Sequence, residues 1–176
     1  MFKEVNMLRP FLESNRELNV REHARLQRCT PATSSKYLRE FCEQGVLSCR
    51  HERNLLLYAP AESEAFRTIK KNWNVELIQE SGLVQGLVHE LREPLVIMLF
   101  GSYAKGENTS ESDIDVFVLT RTQRQVELVR FEKKLRARIH LFVCTPSEVV
   151  KLRKKNPHLL NNVVNGVRLH GFWEIF

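Results

Sequence analysis

Two aspartates, Asp113 and Asp115, stand two apart, ten residues after the pair Gly101-Ser102. An apolar run, Leu95-Val96-Ile97-Met98-Leu99-Phe100, precedes the glycine, and a second, Val116-Phe117-Val118-Leu119, follows Asp115. The pattern reads as strand, Gly/Ser bend into a helical turn, loop, strand. Side chains alternate along a strand, so both carboxylates point the same way while Ile114, Val116 and Val118 point into the core. Two like charges side by side are unfavourable unless a cation lies between them. A hard ion such as Mg²⁺ takes one or two carboxylates and completes its shell with phosphate oxygens. Gly101-Ser102 suits that phosphate: glycine lets the backbone come close, and a hydroxyl with free N–H groups at a helix start binds anions.

Taken apart, a Gly-Ser pair after a strand is ordinarily a turn, and an Asp-x-Asp ordinarily a solvated edge or a cap. Joined in this order between two apolar runs, they resemble the signature of the polymerase-beta-like nucleotidyltransferase superfamily. The tighter phrase, Gly-Ser-x-Ala-Lys-Gly followed by Ser-Asp-Ile-Asp-Val, is similar to the minimal nucleotidyltransferases. These are small enzymes related to antitoxin-type protein adenylyltransferases and antibiotic nucleotidyltransferases. The likeness covers roughly residues 94–145. It implies an α/β domain with a small mixed sheet that transfers a nucleoside monophosphate from a nucleoside triphosphate, AMP from ATP by preference, to an acceptor hydroxyl. That hydroxyl could lie on a toxin-like partner protein. Asp113 and Asp115 would be catalytic and would hold Mg²⁺ or Mn²⁺, and Gly101, Ser102 and Lys105 would bind the nucleotide. One departure concerns the strand at residues 138–143, where the superfamily usually places a third carboxylate. Here Arg138 and His140 occupy the expected face. His140 could act as a general base near neutral pH, or it could be a surface histidine. Glu132, on the preceding helix, is an outside candidate for the missing ligand.

The elements that must position these residues are legible in turn. Of 176 residues, 43% are hydrophobic, enough for a packed core, and the formal charge of +6 favours a polyanionic partner. Cys29, Cys42, Cys49 and Cys144 have no Cys-x-x-Cys spacing. With no signal peptide and no membrane-length apolar run, the sequence reads as a cytoplasmic protein with reduced thiols and no membrane partner. Helices are predicted over 4–13 (Val5, Leu8, Phe11 and Leu12 inward), 20–27 (Ala24 and Leu26 inward) and 31–43 (Tyr37, Leu38, Phe41 and Cys42 inward). The last begins at Thr30-Pro31 and ends at Gly45. Strands at 46–50 and 55–58 follow, joined by a turn over His51-Glu52-Arg53-Asn54. This layout resembles a winged helix-turn-helix, although His23 departs from the apolar residue commoner there. The resemblance implies double-stranded DNA as a partner. Thr33, Ser35, Lys36 and Arg39 would meet base edges, and Arg50 and Arg53 would meet phosphates. A protein-interaction module is the alternative, and a homodimer is open to either.

Residues 61–91 read as helical, with a break predicted near 72–76 and a stripe of Leu83, Val84, Leu87, Val88 and Leu91. Trp73 reads as a core residue. A helix over 122–136 (Val126, Leu128, Val129 and Phe131 inward), a strand over 138–144, helices from Pro146 and Pro157, and a short edge strand near 167–169 complete the chain. The expected organisation is α+β: a winged helix over 1–60, a linker helix over 61–80, and a nucleotidyltransferase-like domain over 81–176. Two functions are open. One is a metal-dependent transferase tethered to a DNA-binding module. The other is a DNA-binding transcriptional regulator whose second domain binds nucleotide with weak or no catalysis.

Overall fold

A computed structural model describes residues 2–122 and 124–174, the side chains of residues 2–4 excepted. The chain divides into two compact units, Met1–Lys70 and Lys71–Phe176.

The first unit opens with α1 (Phe2–Ser14), which buries Met7, Leu8, Phe11 and Leu12. After β1 (Leu18–Asn19), α2 (Val20–Leu26) starts on a capping box. The Asn19 side chain accepts from the N–H groups of Arg21 and Glu22, and the Glu22 carboxylate accepts from the Asn19 N–H at 3.0 Å. Leu26, predicted to face inward, is 49% exposed, because α2 stops there and turns through Gln27. α3 (Pro31–Glu43) begins where the Thr30 hydroxyl accepts from the Thr33 N–H. β2 (Leu47–Glu52) and β3 (Leu55–Pro60) then form a hairpin, and the sheet runs β1-β3-β2, all antiparallel. The strands include His51 and Glu52, so the turn is shorter than predicted. It consists of Arg53 and Asn54, both left-handed at φ +49° and +51°, as a two-residue hairpin turn requires. His23 is wholly buried. Its Nε2–H donates to the Met7 carbonyl at 2.8 Å, and its Nδ1 lies 2.8 Å from the Ser34 hydroxyl. It therefore bonds α2 to both α1 and α3, which accounts for a polar residue at a position where an apolar one was expected. Burial holds its pKa below the ordinary histidine value, against the bond to Met7, which raises it.

α4 (Glu64–Ser81) runs across the division between the units. It ends at Gly82, whose φ of +82° breaks the helix, and α5 (Leu83–Glu90) follows. The break thus falls at the glycine, not near 72–76, where α4 is continuous. Trp73 is only half-buried, and its buried indole N–H has no hydrogen-bond acceptor. The second unit continues through β4 (Val96–Phe100), α6 (Gly101–Lys105) and β5 (Ile114–Leu119). Then come α7 (Val129–Leu135), β6 (Ile139–Cys144), α8 (Pro146–Lys155), α9 (Pro157–Val164) and β7 (Val167–Gly171). The sheet order is β6-β5-β4-β7, with β5 and β6 parallel and the other pairs antiparallel. α7 is about half the predicted length. Residues 124–128 are irregular, residue 123 lies outside the described residues, and Val129 is 49% exposed. Val126, Leu128 and Phe131 do pack inward.

This sheet is buried on both faces, more than simple alternation implied. One face carries Ile97, Leu99, Ile114, Val116, Val118 and Ile139 against Leu83, Leu87 and Phe131. The other carries Val96, Met98, Phe100, Phe117 and Leu119 against Val163, Val149 and Leu152. The whole is a mixed α+β chain. No described helix is long and apolar enough to cross a membrane.

Candidate active site

Asp115 sits one residue into β5, level with Phe100 on one neighbouring strand and with His140 on the other. Residues directly opposite in a sheet share a face. Asp115 and His140 therefore lie on the face of Phe100, Phe117 and Leu119, at the end where the apolar layer stops. Asp113 precedes the strand by one residue. His140 Nε2 is 3.4 Å from Asp113 Oδ2, and His140 Nδ1 is 3.5 Å from Asp115 Oδ1. The two carboxylates and the imidazole form one cluster, each ring nitrogen facing a different acid. Burial raises the Asp115 pKa above the ordinary carboxylate value. His140 opposes that shift, and the neighbouring Asp113 charge adds to it.

Gly101 closes the cluster on the β4 side. Its φ is +71°, and a Cβ there would run into the Asp115 carboxylate, so a side chain would strain the backbone and displace that acid. Ser102 and Lys105 follow on α6, Ser102 half-buried and Lys105 exposed in its last turn. Glu107 and Glu111 are exposed in the loop. Glu132 is already committed elsewhere: its Oε1 accepts from the Ile139 N–H at 2.9 Å, pinning the start of β6. Among the described residues no group of three or more His, Cys, Asp or Glu is arranged to hold a metal ion. The acidic complement is a pair.

Three residues near the cluster carry no signal in the sequence pattern. Asn74, 2% exposed on α4, donates from Nδ2 to the Tyr103 carbonyl at 2.9 Å and to Asn108 Oδ1 at 2.7 Å. It thereby ties the helical turn after Gly101 to the loop that leads to Asp113. Burial raises the Tyr103 phenol pKa, a hydrogen bond with Asn108 lowers it, and the Asp113 charge raises it. The position of Tyr103 inside the Gly-Ser-x-Ala-Lys-Gly phrase is the one local hint. A separate cleft of about 310 Å³, lined by Glu90, Glu127, Val129, Arg130 and Lys133, shares no residue with the cluster.

In the first unit, Lys36 and Arg39 are exposed on α3, with Lys36 3.9 Å from Glu40. Ser35 is half-buried, and the Thr33 hydroxyl is 2.9 Å from that of Thr30 within the helix cap. Arg50 is exposed on β2. It makes a bidentate pair with Glu17 at 2.7 and 2.6 Å and lies 2.9 Å from Glu52. Arg53 is exposed in the hairpin turn.

One sheet end thus carries two acids and an imidazole beside a glycine bend. Residues 84–171, half of the chain, match the family model described as polymerase beta, nucleotidyltransferase, and the chain belongs to that family. A comparison with curated proteins finds no match.

Proposed function

We propose that the chain is a metal-dependent nucleotidyltransferase that moves AMP from ATP to an acceptor hydroxyl, which a partner protein could carry. The observation that supports this best is the meeting of Gly101, Asp113, Asp115 and His140 at one sheet end. The residues fit a divalent cation: two acids share a face, and burial with like charge makes ionising Asp115 costly until a positive charge arrives. Asp113 and Asp115 would hold Mg²⁺ or Mn²⁺, which supplies charge stabilisation to the attacking and departing oxygens of an in-line displacement. The Gly101 bend and the Ser102 hydroxyl take the outer phosphates, and Lys105 offers a positive charge to the triphosphate. The acceptor oxygen bonds to the α-phosphorus as the bond to pyrophosphate breaks, and the hydroxyl proton leaves. The third position, filled by His140, has two tasks open to it: helping to hold the cation or taking that proton.

We further read the first unit as a winged helix on double-stranded DNA, with Thr33, Ser35, Lys36 and Arg39 toward the bases and Arg50 and Arg53 toward phosphates, in a cytoplasmic protein that could dimerise. A second reading makes the chain a DNA-binding regulator whose transferase domain only binds nucleotide. What favours it is the absence of a carboxylate from β6, whose residues are Ile139-His140-Leu141-Phe142-Val143-Cys144.

The test is incubation of the full chain with α-labelled ATP, Mg²⁺ or Mn²⁺, and cell lysate as the acceptor source. Label transfer is expected, and Asp113→Asn is expected to reduce it on the order of 100-fold or more. Transfer absent from both proteins, with nucleotide binding intact, would support the regulator.

A further inference from the structure

Two thiols meet at the rim of the sheet in the first unit. We propose that Cys42 and Cys49 form a reversible disulfide when the chain meets a hydroperoxide, so that redox state joins α3 to β2 or releases it. The pair shares no residue with the transferase cluster.

The backbone brings the sulfurs together. Cys42 lies in the last turn of α3, four residues after the fully buried Leu38, so it shares the helix face that packs inward. The chain then reverses at once. The Gly45 N–H donates to the Cys42 carbonyl and the Val46 N–H to the Phe41 carbonyl, and β2 starts at Leu47. Cys49 is two residues past the buried Leu47 and directly opposite the buried Tyr58, so it lies on the sheet face that those two turn inward. α3 packs against this strand. Cys42 approaches the sheet from the helix, and Cys49 approaches the helix from the sheet.

The charges agree with this placement. Burial, then the charge and hydrogen bonding of Cys49, then the Glu43 charge, push the Cys42 thiol up to about 12. Burial raises the Tyr58 phenol as well, and the charges of both thiols raise it further, against Arg39. The phenol and the two thiols therefore border one space. The Tyr58 hydroxyl is buried there and has no hydrogen-bond partner among the described residues. A buried donor without an acceptor calls for an explanation. An oxygen added to Cys49 gives it one.

Exposure assigns the roles. Cys49 is exposed and meets the peroxide, whereas Cys42 is half-buried. The Cys49 thiolate attacks one peroxide oxygen, the O–O bond breaks, and hydroxide leaves and takes up a proton as water. The sulfur is oxidised by two electrons to a sulfenic acid, and the peroxide is reduced. The Cys42 sulfur then attacks the sulfenic sulfur. The S–S bond forms as the S–O bond breaks, and the hydroxyl departs as water with the Cys42 proton. Oxidation of Cys49 also removes the thiolate charge that holds that proton in place. Two thiols and one hydrogen peroxide thus give one disulfide and two waters, and a dithiol reverses the link by exchange.

The test uses the full chain, reduced, treated with hydrogen peroxide, alkylated and digested with trypsin. Both cysteines fall in one tryptic peptide, residues 40–50. After oxidation that peptide is expected to be two hydrogens lighter and unalkylated, and a further cut after Glu43 is expected to leave its halves joined. Dithiothreitol is expected to restore alkylation at both positions. The rate of linking is expected to be independent of protein concentration. Cys42→Ser is expected to stop at a Cys49 sulfenic acid, captured by a dione reagent. Both cysteines still alkylated after peroxide, or linkage to Cys29, Cys144 or a second chain as the main product, overturns the proposal. Wild-type linking with no sulfenic acid captured in Cys42→Ser overturns the assignment of Cys49 as the residue that meets the peroxide.

Discussion

At the scale of single residues, the site depends on what each position lacks as much as on what it holds. Gly101 has no side chain to compete with the Asp115 carboxylate, and β6 has no acid, which leaves an imidazole beside the pair. Lys70 in the first unit is a different kind of exception. It is 1% exposed, with Nζ donating to Asn15 Oδ1 at 2.6 Å and lying 5.9 Å from the centre of the Phe66 ring. Burial lowers its pKa from 10.5 to about 8. Between those values the unfolded chain binds more protons, so stability rises with pH across that window, and the full cost applies below about 8. A shift of this size corresponds to roughly 3 kcal/mol. Lys70→Met is therefore expected to raise the urea midpoint at pH 7 and to flatten the gain between pH 8 and 10.5. An unchanged slope in the variant would mean that another group carries it.

At the scale of elements, two strands and one helix build the site. β5 and the residue before it bring the acids, β6 brings His140, and α4 secures the bend through Asn74. Asn74→Leu is expected to remove the hydrogen bonds to the Tyr103 carbonyl and to Asn108, at about 0.5–1.5 kcal/mol each. Amide exchange over residues 101–112 is expected to accelerate, with label transfer falling alongside. Protection equal to wild type would show that α4 does not restrain the bend. The strands were legible because each pairs an apolar run with a polar break: Phe100 into Gly101, Asp115 into Val116. The stripe from Leu83 to Leu91 was legible from its spacing. Asn74 was not, since its partners lie 29 and 34 residues away and a lone asparagine on a helix carries no pattern. The Arg53-Asn54 turn was overestimated because it holds no glycine, the usual mark of left-handed backbone. The helix over 122–136 was overestimated because Val126 and Leu128 pack into the core from irregular chain, so apolar spacing survived without helical backbone.

At the scale of the whole molecule, two compact units sit on one chain, and the proposed tasks divide between them. The proposed DNA-binding residues lie in the first unit and the nucleotide-binding residues in the second. A double variant, Arg50→Ala with Arg53→Ala, is expected to weaken DNA binding. The slope of log affinity against log salt should fall by about 0.9 for each phosphate no longer neutralised, while label transfer stays at the wild-type level. Equal DNA affinity and slope in the variant would move the first unit toward a protein-binding role.

The parallel pairing of β5 with β6 has an engineering consequence. Strands that run the same way need a long crossover, here residues 120–138. Doubling such a connection costs little more than half a kilocalorie, about 0.6 kcal/mol, in closure entropy. The exposed chain at Arg124, ahead of the packed Val126, is therefore a place to splice in a reporter peptide or a purification handle, leaving Asp115 and His140 side by side.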